Sequence, residues 1–253
     1  MITRHIVQQM GMRGTTHGAR MFGRVLWFVF ICPVLFSSLC FAIGREQYVD
    51  SNPGKDGFCI AQKSDVADIY IDSNDYAGVI RAGNDLQADI NRVTGQTAKI
   101  TNKETGWGKN TIIIGTIGKS PIIDRLIKDG KIDVNQIAGK WESFLIQVVP
   151  EPLPGVENAL VIAGSDKRGA IYGIYDVSEQ IGVSPWYWWA DVPVQHKDAL
   201  YVKSGRYVQG PPAVKYRGIF LNDEGWALSP WVKKNSVIMT ANSTPKFSSF
   251  YFG

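Results

Sequence analysis

Thr111-Ile112-Ile113-Ile114-Gly115 is the stretch on which the fold turns, and Ser120-Pro121-Ile122-Ile123-Asp124-Arg125-Leu126-Ile127 follows it closely. Three consecutive isoleucines leave the run without a polar face, so it predicts a strand buried on both sides of a sheet. Pro121 is pre-set for the first turn of a helix, through which Ile123, Leu126 and Ile127 recur at helical spacing until Gly130 closes it. A strand covered above and below requires helices on both faces, which is the signature of an α/β domain.

The same grammar continues outward. Upstream, Asp68-Ile69-Tyr70-Ile71-Asp72 reads as a strand, and Asp75 is placed to cap a helix whose stripe is Val79, Ala82, Leu86, Ile90 and Val93. Gly95 ends it as a C′ glycine. Downstream, strands at 143–149 and 159–163 flank the turn Pro150-Glu151-Pro152-Leu153-Pro154-Gly155. Asp166-Lys167-Arg168-Gly169 then leads into a helix with an apolar stripe at Ile171, Ile174, Val177 and Ile181. Two crossovers and one hairpin make the sheet mixed. The α/β domain is expected over 67–204, after an extended segment at 43–66. A Gly- and Pro-bearing linker is expected at 205–213, and Lys215-Tyr216-Arg217-Gly218-Ile219-Phe220-Leu221-Asn222-Asp223-Glu224 reads as the first strand of a second domain, over 214–232.

With 45% hydrophobic and 20% charged residues, the composition excludes collagen, coiled coil and wholesale disorder. The net charge of +4 sits entirely in residues 1–42, where Arg4, Arg13, Arg20 and Arg24 meet no acid. The body is formally neutral, which argues against nucleic acid as a partner held by bulk charge. Arg20 and Arg24 precede the apolar run Val25–Phe36, interrupted at Pro33 and followed by Cys40-Phe41-Ala42, the order of a secretory signal peptide. The run is shorter than the roughly 20 residues that span a bilayer. Residues 1–42 are therefore expected to be cleaved, with Met21 an alternative start, giving a secreted protein with no stable membrane association. Cys32 and Cys40 leave with the leader, so Cys59 has no intrachain partner.

Three further motifs carry candidate chemistry. Gly115-Thr116-Ile117-Gly118-Lys119-Ser120 imitates the end of a phosphate loop, but Ile113 stands where the pattern needs glycine, leaving an ordinary strand-to-helix turn. Trp186-Tyr187-Trp188-Trp189-Ala190-Asp191-Val192-Pro193 either glues two domains together or offers stacking faces to sugar rings, Trp188 among them. Asn222-Asp223-Glu224 is either a polar turn or the substrate-facing end of a first barrel strand. The residues suggest no cofactor and no metal.

Residues 164–175, 182–193 and 216–224, taken together and in order, resemble the N-terminal part of glycoside hydrolase family 115. That resemblance implies a mixed-sheet α/β accessory domain followed by the start of a (β/α)8 barrel, in a secreted enzyme that removes glucuronic or 4-O-methylglucuronic acid from xylan by inversion. It implies xylan or glucuronoxylan oligosaccharides as partners, and it allows for dimers among longer relatives. Carried over by position, Asn222 and Asp223 bind the uronic acid's hydroxyls, with Glu224 a neighbour, and the catalytic carboxyls are expected beyond residue 253; Asp223 as a direct catalytic acid is the lesser option. A barrel takes about 250 residues, so the barrel is expected to be truncated and the chain alone inactive. Residues 233–253 do not resemble the barrel's continuation and are read as an aberrant tail. The alternative function is a module that binds polysaccharide without cleaving it.

Overall fold

The structure, a computed structural model, describes residues 46–63, 65–187, 190–218 and Pro230. All elements below belong to the unit Gln47–Gly253, set apart from Met1–Glu46. The expected leader at 1–42 lies outside the described residues, as do Trp188, Asn222, Asp223, Glu224 and the tail at 233–253.

Strands β1 (Val49–Asp50), β2 (Phe58–Gln62), β3 (Asp65–Val66) and β4 (Asp68–Ile71) precede helix α1 (Ala77–Thr94). Then come β5 (Ile100–Thr101), β6 (Asn110–Thr116), α2 (Pro121–Lys128), β7 (Phe144–Pro150), β8 (Asn158–Gly164), α3 (Lys167–Ile181), β9 (Ala199–Val202) and β10 (Arg206–Gln209). The large sheet has the order β10-β7-β8-β6-β4-β5. Its centre is parallel, β4 with β6 and β6 with β8, while β7 and β10 run antiparallel to their neighbours, so the sheet is mixed as expected.

The isoleucine run does what its pattern demands. Ile113 sits in register with Tyr70 and Val161, and all three face a core with Ile122, Ile123 and Leu126 of α2. Ile112 and Ile114, in register with Ile69 and Ile71 on β4 and with Leu160 and Ile162 on β8, face the opposite core, which is shared with α1 and α3. The predicted stripe of α1 is buried throughout, and Gly95 ends the helix with φ at 74°. In α3, Ile174, Val177 and Ile181 are buried and Ile171 packs against them.

Two regions differ from the sequence reading. Within the segment read as extended, β1, β2 and β3 join β9 in a second, antiparallel sheet, β1-β9-β2-β3, whose Phe58, Ile60, Leu200 and Val202 enter the α1/α3 core. The pairing of β2 with β9 joins residues about 140 positions apart, which no local pattern announces. Residues 205–213, read as a linker, contain β10, which adds the outer strand to β7. Tyr48 ties these pieces together: its hydroxyl donates to the buried Asp176 of α3 at 2.8 Å, and its ring stacks on Tyr207 of β10 at 4.4 Å. Cys59 is half-buried, its thiol pushed up to about 11 by burial and then by the charge of Asp65.

Replacing Ile113 with Ala should cost about 2–5 kcal/mol and with Val about 0.5–1.5 kcal/mol, because the site is closed on both faces and cannot collapse. Urea unfolding of both variants measures the difference.

Candidate functional site

In open α/β sheets, ligands are held at the carboxyl ends of the parallel strands. Here that end lies past Ile71, Thr116 and Gly164, and it is closed by the chain's own polar groups. Asp75 does not cap α1, whose N-cap is Tyr76. Its buried carboxylate accepts instead from the Thr116 backbone N–H at 2.8 Å and the Thr116 hydroxyl at 2.9 Å, with a third bond from the Tyr76 N–H at 2.7 Å. A polar residue before a helix was the right signal, but the unpaired end of β6 is the stronger claimant on it, since buried backbone groups must be satisfied. Asp72 accepts from the Asn74 N–H at 2.7 Å and lies 3.4 Å from the Tyr70 hydroxyl.

The turn at 116–120 is structural. Gly118 N–H donates to Asp124 of α2 at 2.9 Å, and the Lys119 ammonium lies 5.2 Å from the centre of the Tyr76 ring. The turn Gly164-Ser165-Asp166-Lys167-Arg168-Gly169 before α3 is also filled, because Asp166 caps the helix by accepting from the Gly169 N–H at 2.7 Å. A negative side chain thus already occupies the helix start where an anion would sit.

Beyond β8 the packing becomes unusually close. A Cβ on Gly169 would lie 2.1 Å from the Ser143 carbonyl oxygen, and one on Gly210, whose φ is +102°, would lie 2.5 Å from the Ser143 hydroxyl. Ser143 is fully buried between them, and Ser165 binds its N–H and its carbonyl. This pinch sets the residue before it. Glu142 has a φ of +50°, a conformation that side chains adopt only where the surroundings impose it. Its N–H donates to the second Asp166 oxygen at 2.9 Å.

The Glu142 side chain, 6% exposed, is the centre of a charged cluster. Arg168 donates to one carboxylate oxygen at 2.9 Å and Arg217 to the other at 2.5 Å. Arg217 also lies 5.9 Å above the Trp141 ring and 3.4 Å from the Tyr172 hydroxyl, and its second terminal nitrogen donates to the Val214 carbonyl at 2.5 Å. Burial would raise the Glu142 carboxyl above its ordinary 4.5, but the hydrogen bonds and charges of the two arginines outweigh it and hold the carboxyl below that value.

The sequence reading named the partners of this cluster without its centre. Arg168 and Tyr172 fall in one family-like string and Arg217 in another, whereas Glu142 lies in neither. Its one local mark is an acidic residue between an aromatic and a buried strand. In the aromatic loop, Tyr187 packs against the core with Arg92 over its ring at 5.2 Å, while Trp186 is 63% exposed. Lys197 fastens the loop's return to the helix ends, bonding the Val93 and Ile181 carbonyls at 2.9 Å each. Part of the loop therefore serves as glue within this domain.

Two family models match the chain: glycosyl hydrolase family 67 N-terminus over residues 59–177, and glycosyl hydrolase family 115 over residues 209–251. The second match runs through most of 233–253, so the family likeness extends into the segment read from sequence as an aberrant tail. Among solved structures, the chain is similar to BtGH115A, described as a family GH115 4-O-methyl-α-glucuronidase with specificity for decorated arabinogalactans. Identity is 34%, coverage is 75% of this chain and 22% of that one, and the TM-score is 0.58. This chain thus spans about a fifth of that protein's length. A Streptomyces plicatus N-acetyl-β-hexosaminidase matches at 15% identity over 63% of this chain and 24% of its own, with a TM-score of 0.35, too distant to bear on function. No curated protein sequence matches the chain.

Asp75→Ala should cost about 2–4 kcal/mol, since it orphans two buried donors of Thr116, and urea unfolding measures it. For Glu142 the sign of the pH effect follows from its lowered carboxyl. Its stabilising contribution is complete above the ordinary value of 4.5 and is lost as pH falls through the folded value. Thermal midpoints measured from pH 6 to pH 2 should fall more steeply below about 4.5 for the wild type than for Glu142→Gln.

Proposed function

We propose that this chain, the N-terminal portion of a family 115 glycoside hydrolase, belongs to a secreted α-glucuronidase that releases glucuronic or 4-O-methylglucuronic acid from a polysaccharide by inversion, and that its α/β domain is the non-catalytic mount of that enzyme. The observation that carries this reading is the 34% identity with a GH115 4-O-methyl-α-glucuronidase over 75% of the chain. Two substrate backbones come into view, xylan from the resemblance and arabinogalactan from the description of BtGH115A. What they share is the terminal uronic acid.

Inversion requires one protonated carboxyl and one carboxylate spaced to admit a water between them and the sugar. The carboxylates described at the strand ends are committed otherwise: Asp75 to Thr116, Asp166 to the start of α3, Glu142 to two arginines. The catalytic pair is therefore assigned to residues outside the described ones. Asn222 and Asp223, with Glu224 beside them, are assigned to the uronic acid's hydroxyls, and Trp188 to a stacking face. The leader supports secretion.

A second reading, a module that holds polysaccharide without cleaving it, is favoured by the exposed Trp186. Incubation of the purified chain with glucuronoxylan and with arabinogalactan bearing terminal 4-O-methylglucuronic acid should release no uronic acid, and the chain should not be retained on insoluble xylan. Retention without release would favour the second reading. Release would show that the chain carries its own catalytic carboxyls.

A further inference from the structure

We propose that Glu142 is a positioning residue: it grips Arg217 against Trp141 and Tyr172 and so fixes the direction in which the chain leaves the α/β domain towards Asn222 and Asp223. The inference rests on the function proposed above and gives the domain its task within it.

The topology delivers the chain to this point. β10 is antiparallel to β7, and β7 to β8, so β10 runs in the direction of β4, β6 and β8 and ends where they end. Gln209 lies opposite Phe144, and Gly210 passes so close to Ser143 that no side chain fits. From there to Arg217 the chain forms no strand or helix, and Val214 and Tyr216 are 60% and 87% exposed. Apolar packing does not hold this segment. Arg217 does, through its bond to Val214 on its own side and to Glu142 and Tyr172 on the domain's side.

The grip is directional. A guanidinium is planar and donates along fixed lines, so each bond restricts its orientation as well as its place. Glu142 is itself over-determined, by the pinch at Ser143, the bond from its N–H to Asp166 and the bond from Arg168 to its other oxygen. An anchor held from three directions can set the heading of an exposed chain. In the sequence, Asn222 and Asp223, assigned above to the sugar, follow Arg217 by five and six residues.

Trypsin cleavage after residue 217 of the full chain under native conditions tests this, because protease access reports local opening. The wild type should resist cleavage after Arg217. Glu142→Gln should be cut there about tenfold faster or more, the opening being worth a charge-assisted hydrogen bond, while cleavage after Lys55 and Lys109 stays unchanged. Arg217→Lys, which keeps the charge but loses the fork, should fall between. Fast cleavage after Arg217 in the wild type, equal rates in wild type and Glu142→Gln, or the same acceleration at all three sites would overturn the proposal; the last would mean that Glu142 merely stabilises the fold. Uronic acid release tests the enzyme reading separately, and either can fail without the other.

Discussion

A strand with no polar side constrains everything around it. Ile112, Ile113 and Ile114 are fully buried, so β6 must be flanked by strands that satisfy its backbone and covered by layers on both faces. Lateral neighbours β4 and β8 supply the first, and α2 on one side and α1 with α3 on the other supply the second. At the end of the strand, where sheet pairing runs out, the constraint becomes a demand for fixed acceptors. Asp75 is that acceptor for β6, and Asp166 and Ser165 receive the N–H groups of Glu142 and Ser143 just before β7. The strand ends, which in other open sheets receive a ligand, are thereby spent on the domain itself.

That allocation explains why the domain reads as a mount. An open α/β sheet that binds at its switch point leaves donors unpaired there for the ligand. In this chain the corresponding donors, the N–H groups of Thr116, Gly118 and Gly169, are met by Asp75, Asp124 and Asp166. The polar chemistry that remains is displaced sideways, to the edge where β7, β8 and β10 meet α3. There it serves a segment of the same chain.

The parts of this fold that were legible in the sequence are those whose energetics are local in the chain. The stripe of α1, the two-faced run of β6, the hairpin at 150–155 and the Asp166 cap each show their pattern within one element. The second sheet is illegible for the opposite reason. Its strands are two to five residues long, too short for a period to show, and their partners come from the far end of the domain. β10 is hidden differently, since the Gly and Pro around it, which mark the pinch at Ser143, have the composition of a linker. Asp75 was the right residue with the wrong partner, because a cap and a strand-end acceptor look alike in sequence. Glu142 could not have been found from spacing, since its ligands lie 26 and 75 residues away. A polar triplet at a strand end and an aromatic loop mark the predicted sugar-binding residues, the family resemblance gives them their roles, and Trp188, Asn222, Asp223 and Glu224 lie outside the described residues.

The choice of a charged pair for the chain's exit is itself informative. Apolar burial is stronger per residue but non-directional, and it tolerates rotation of the groups it holds together. A buried carboxylate between two arginines adds little net stability once desolvation is counted, yet it admits few arrangements. Such a pair suits a junction whose function is orientation. The α/β core already supplies ample apolar contact, so the bulk of the stability comes from there. What the core cannot supply is a heading for the residues that follow Gln209, where the sheet ends and the exposed segment begins. Because Arg168 and Arg217 share one carboxylate, the start of α3 and the departing chain are referred to the same atom group, and α3 is tied through Asp176 and Tyr48 to the second sheet. The orientation of the exit is thus set against the whole domain rather than against one loop.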